Sequence, residues 1–170
     1  GYTALNVINF LTYIKKAVII SGFLSEKDLI KETLGSKIAT WSICRYEKKT
    51  NPKIFALDNI SYLKTTDDKI LFLASKDDAM VKFSSSTGFA QTLGNPNLSF
   101  IVENGKKHNP NYSLAAVTYM NDVFCEYALK QKQRLLKTAE SKKAFFSDKS
   151  PLKMTEQDEA VMSRIIDFIG

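Results

Sequence analysis

Apolar residues return at three- and four-residue steps through Leu5, Ile8, Leu11, Ile14, Val18 and Ile19, which predicts a helix over residues 3–20 with one face on a core. Gly22 ends it. Ser25, followed three residues on by Asp28, predicts a capped helix to about Leu34, stopped by Gly35. From Lys37 the texture changes. Residues 38–46 are rich in β-branched and aromatic side chains and lead into a turn-like 47–52, so a strand and a hairpin loop are expected. Residues 54–63 and 69–75 read as second and third strands around the turn 65–68. Ser84 to Thr87 can cap a short helix through Leu93, which Gly94-Asn95-Pro96 closes. Strands follow at 98–102 and 113–120. Asn121 or Asp122 then caps a helix over about 123–144, and Thr155-x-x-Asp158 opens a last helix with Val161, Met162, Ile165 and Ile166 on one face. The sum is an α+β fold: a small antiparallel β-barrel flanked by helices. It reads as a single domain, with a helical extension at 1–35, a barrel core at 36–122 and C-terminal helices at 123–170.

Composition fits one globular domain: 44% of the 170 residues are apolar and 25% charged, which excludes a disordered chain. The stretch from Leu5 to Leu24 is broken by Asn6, Asn9, Lys15 and Lys16, so it is no membrane span. It also lacks the basic start and cleavage site of a secretory signal, and Gly1 reads as a cut or processed start. The net charge of +6 is all found between Lys130 and Lys153, where eight cations face two anions. With few aromatics interleaved and no nucleic-acid motif, that segment reads as a solvated basic helix.

Cys44 and Cys125 form no C-x-x-C pair, which suits a reduced, cytoplasmic setting. His108, the one histidine, lies in the turn-like 104–110 and reads as an exposed loop residue. One histidine and two separated cysteines leave zinc sites and Ser-His-Asp or Cys-His catalysis short of parts, while an all-carboxylate Mg²⁺ site stays open. Chemistry is therefore expected from a bound cofactor.

The run Ile38 to Ile43, a second strand with Asn59 and Tyr62, the third strand Ile70 to Ser75 with Lys82 downstream, and a helix closing on Asn95-Pro96 together resemble the FMN-binding split barrel of the pyridoxamine 5′-phosphate oxidase-like families. The resemblance covers residues 24–122. It implies a homodimeric flavoprotein oxidoreductase acting on a small-molecule substrate. It also implies FMN phosphate on Ser75, Lys76 and Lys82 with Ser84 to Thr87 nearby, and Asn59, Ser61 and Tyr62 along the flavin ring. Ala79 stands where the family's phosphate motif has serine, and Lys82 is one residue late.

Two other readings stand beside it. Leu24 to Leu29, Leu34-Gly35-Ser36 and Arg45 to Pro52 look like the helix-turn-helix of phage-repressor-type regulators, although residues 38–43 put a β-rich run where the recognition helix belongs. The other is a non-catalytic dimeric binding module.

Overall fold

Three strands carry the sheet, and all run the same way. In the computed structural model, which describes residues 1–170, β1 (Lys16–Ile20), β2 (Lys69–Ser75) and β3 (Leu98–Glu103) form an open sheet in the order β1-β2-β3. Lys16 pairs with Lys69 at one end, and Ser75 with Glu103 at the other. The expected antiparallel split barrel over 36–122 is not formed. The reason lies in β2: every residue from Ile70 to Ser75 is buried, the mark of a central parallel strand covered on both faces. Parallel strands need long crossovers, and helices supply them.

Ten helices complete the chain: α1 (Tyr2–Phe10), α2 (Glu26–Leu34), α3 (Lys37–Thr50), α4 (Pro52–Phe55), α5 (Asn59–Thr65), α6 (Thr87–Gln91), α7 (Leu114–Lys132), α8 (Ala139–Ser147), α9 (Pro151–Met154) and α10 (Glu159–Ile169). The helix expected over 3–20 divides: the chain turns extended at Leu11, and the β-branched Val18, Ile19 and Ile20 join the sheet. Helix α2 forms as expected, with Ser25 accepting from the Asp28 amide and Gly35 left-handed at φ +61°.

Caps explain the helices found where strands were expected. Ser36 accepts from the Ala39 amide, so 37–50, with Trp41 in it, is helix despite its β-branched content. Pro52 opens α4 at the position where its missing N–H costs nothing. Asp58 accepts from the Ser61 amide at 2.9 Å and from its hydroxyl, starting α5 in place of the second strand. The Ser61 hydroxyl holds the Asp58 carboxyl below the ordinary range. Ser113 caps α7 through the Ala116 amide, which converts the fifth strand and the helix expected from Val123 into one helix starting at Leu114. Strands 69–75 and 98–103, the short helix after Thr87 and the final helix lie close to where the pattern put them.

The chain divides into two compact units, residues 1–110 with 163–170, and residues 111–162. In the first, Leu5, Ile8, Ile19, Leu63, Ile70 and Phe72 are the centre of the core, and Phe72 stacks on Phe100. Asn6 and Asn9, the polar breaks in the apolar start, converge on Asn59. Its amide donates to Asn6 Oδ1 and the Leu24 carbonyl, and its oxygen accepts from Asn9.

In the second unit, Val123, Leu136 and Phe145 pack with Tyr119, Tyr127 and Met154. The basic run from Lys130 to Lys153 is not one helix but the end of α7, then α8 and α9. Glu126 pairs with both Lys130 and Lys149, whose ammonium groups each lie 5.0 Å from the Phe145 ring centre. No helix of either unit is long and apolar enough to cross a membrane.

Candidate active site

In open parallel sheets the strand carboxyl ends face a common edge, and chemistry gathers there. Here all three strand ends contribute. Past β2, Asp78 turns back on its own loop: Oδ1 accepts from the Met80 and Val81 amides at 2.8 and 3.0 Å. Its other oxygen, Oδ2, lies 2.8 Å from His108 Nδ1, on the loop past β3. The Asp78 side chain is 2% exposed and that of His108 37%. Past β1, Ser21 donates its hydroxyl to the His108 carbonyl at 2.9 Å. Ser21 sits in the left-handed region at φ +46°, a strain of about 1–3 kcal/mol for a residue with a side chain.

A second acid ties the two loops together. Asp77 Oδ1 accepts from the Ser75 hydroxyl, from the Gly105 amide at 2.9 Å and from the Lys107 amide at 3.4 Å. Gly105 and Lys107 both have positive φ, +79° and +51°, which turns these amides inward. The Ser75 hydroxyl, then the Gly105 and Lys107 amides, keep the Asp77 carboxyl below the ordinary carboxylate range.

A carboxylate only accepts hydrogen bonds, so the proton between the pair belongs to Nδ1, and in the neutral imidazole this leaves the lone pair on Nε2. Nε2 has no hydrogen-bond partner within the chain. His108 borders a pocket of about 750 Å³ shared with Gly1, Tyr2, Ser21, Phe23 and Lys82. The amino end of α1 opens onto this pocket and brings the positive end of a helix dipole to it. Tyr2 and Phe23 stack at 4.2 Å as its aromatic wall. Gly1 and Gly22 meet backbone to backbone: a Cβ on Gly1 would fall 2.3 Å from Gly22 Cα.

His108 was expected as an exposed loop residue and a triad as short of parts. His108 does lie on a loop with its side chain 37% exposed, but its ring pairs with a buried acid 30 residues away, and no serine or cysteine joins the pair to complete a triad.

The residues expected to hold FMN do not come together. Asn59, Ser61 and Tyr62 lie on α5, with Asn59 buried in the Asn6–Asn9 network and Ser61 bound to Asp58. Tyr62 donates to Asp68, just before β2, and burial pushes its phenol up to about 12. Ser75, Lys76 and Lys82 follow the carboxyl end of β2, and no contact joins them to Asn59, Ser61 or Tyr62. Lys76 is exposed, Ser75 serves Asp77, and Lys82 alone of the six lines the His108 pocket. Residues 38–43, the stretch at issue in the helix-turn-helix resemblance, are helical, and α2 and α3 are joined by Gly35 and Ser36. No group of three or more His, Cys, Asp or Glu side chains converges as a metal site.

No protein-family model, curated protein or solved structure matches this chain.

Proposed function

We propose that this chain carries the acid–base machinery of a hydrolase that cleaves carboxylic esters or related acyl compounds. The observation that supports this reading is the buried Asp78 carboxylate aligned on His108 Nδ1, in a residue that borders a pocket and whose Nε2 has no partner in the chain. In the proposed reaction a hydroxyl oxygen attacks the acyl carbon while Nε2 takes its proton. The resulting imidazolium is stabilised by Asp78 and then returns the proton to the departing alcohol. The α1 amino end favours the negative charge that develops on the carbonyl oxygen. Acid before histidine, on loops after successive strands of a parallel sheet, is also the order α/β-hydrolases use, an analogy of arrangement only.

The attacking hydroxyl is that of water or of a serine presented to Nε2, and one experiment tests the site and separates the two. The full chain is assayed with p-nitrophenyl acetate and butyrate, then treated with a fluorophosphonate probe. Hydrolysis that falls about 10³-fold or more in His108→Ala supports the proposal. Probe labelling then indicates a serine, and its absence water. Wild-type hydrolysis equal to that of a correctly folded His108→Ala protein would end it.

A further inference from the structure

Helices α2, α3 and α4 make a long excursion between β1 and β2, yet almost nothing in them is buried: Thr40 alone, on α3. Ile38 is 80% exposed and Trp41 62%. Along α3, Lys37, then Thr40 and Trp41, then Cys44 and Arg45, then Lys48 recur once per turn, so they share a face. On α2, Lys27 and Lys31 are four residues apart. These residues, with Phe55 of α4, line a groove of about 680 Å³, within the range of roughly 300–1,000 Å³ typical of small-molecule sites.

The charge of this groove has one sign. Lys27, Lys31, Lys37, Arg45 and Lys48 line it, and no carboxylate does. Lys31 shares an exposed pair with Asp28 at 3.3 Å, and Arg45 lies over the Trp41 ring at 5.3 Å. Lys27, Lys37 and Lys48 make no ion pair. Five cations around Trp41, Cys44 and Phe55 repel one another and leave apolar surface in water, and one ligand chemistry answers both.

We propose that this groove binds a single-chain anionic amphiphile, its acidic head held by the lysines and its chain laid over Trp41, Cys44 and Phe55. Duplex DNA fits less well, because Ile38 and Trp41 stand where a DNA-reading helix needs polar groups for base edges. A flat bilayer would leave the concave floor uncovered.

Trp41 is the only tryptophan, so its emission reports on the groove directly. Dodecyl phosphate, kept below its micelle concentration, is titrated into the full chain. The expected result is a saturable blue shift that weakens at about 1 M salt, where the screening length falls to about 3 Å. It weakens about tenfold or more when Lys27, Lys31 and Lys37 are all changed to Glu. The corresponding triple Gln variant, with the same direction of effect, covers any folding defect of the Glu protein. Dodecyl maltoside gives no saturable shift. An equal response to the neutral chain, or unchanged affinity in a folded triple variant, overturns the proposal. So does a shift seen only with vesicles containing anionic phospholipid, or only with duplex DNA.

Discussion

Replacing Asp78 by Asn changes one hydrogen atom's allegiance and little else. The amide oxygen can still accept from the Met80 and Val81 amides, so the loop after β2 keeps its shape. The amide nitrogen then takes the place of Oδ2, 2.8 Å from His108 Nδ1, and it donates where the carboxylate accepted. Nδ1 must become the acceptor, so the imidazole proton moves to Nε2 and the free base at Nε2 is lost. The same exchange of acid for amide in a serine-protease triad costs about 10⁴-fold in kcat, or about 5 kcal/mol of transition-state stabilisation. Two readouts apply. Ester hydrolysis should fall by about 10³–10⁴-fold with little change in thermal stability. Because His108 is the only histidine, long-range ¹H–¹⁵N spectra of the imidazole report its tautomer without assignment. The wild-type ring should carry its neutral-form proton on Nδ1, and the Asn variant on Nε2. A wild-type ring protonated on Nε2, or identical spectra from the two proteins, would refute the orientation on which the whole site depends.

Other consequences are structural. Asn59→Ala orphans Asn6, Asn9 and the Leu24 carbonyl around a position 1% exposed and should cost about 2–4 kcal/mol in urea unfolding. Gly22→Ala places a Cβ 2.5 Å from Ile19 Cγ2 and 3.0 Å from the Gly1 backbone, so the melting temperature should drop, by a penalty of about 1–3 kcal/mol. Burial opposes ionisation of Asp68, but hydrogen bonds from Lys15 and Tyr62 outweigh it and hold its carboxyl below the ordinary range. Its contribution is therefore full above the unfolded value of about 3.9 and is lost as pH falls through the lower folded value. An Asp68→Asn protein should show a flatter acid limb in stability against pH. Tyr62 runs the other way: its phenol, raised to about 12, contributes fully below about 10 and loses that contribution as pH rises through 12. Tyr62→Phe should flatten the alkaline limb.

Where the sequence reading succeeded and where it failed follow from the same competition. Residues 69–75 and 98–103 announce strands because continuous apolar runs end in turn residues, and Ser25 with Gly35 brackets α2. The runs at 38–46, 54–63 and 113–120 have β propensity, yet Ser36 stands before the first, Asn51 and Pro52 before the second with Asp58 inside it, and Ser113 at the start of the third. Over short spans a capped amide and a shared helical face outweigh β-branching, whose preference is weak and depends on packing. Once those spans are helical, strands alternate with helices and the sheet must be parallel. The Asp78–His108 pair does not show in a count of residue types. The sequence signal for it is positional: His108 follows one apolar strand and Asp78 the neighbouring one. That Asp78 rather than Asp77 faces the ring depends on the loop's backbone and is not legible in the residue types.

The division of burial between sheet and excursion also fixes how the two proposed sites relate. Asp78 and His108 follow strands held in the core, and Asp77, Ser75 and Ser21 tie their loops down by hydrogen bonds. Helix α2 has no buried residue, and low burial is the property that lets a segment open at little cost. Yet α2 borders both spaces. Leu29, Glu32 and Thr33 line the His108 pocket, and Lys27 and Lys31, on the helix's other side, line the basic groove. A ligand that shifted α2 at the basic groove would also move Leu29, Glu32 and Thr33 in the wall of the His108 pocket. The dyad itself would be unchanged, so any effect of groove occupancy on ester hydrolysis should appear in KM rather than in the tautomer of His108.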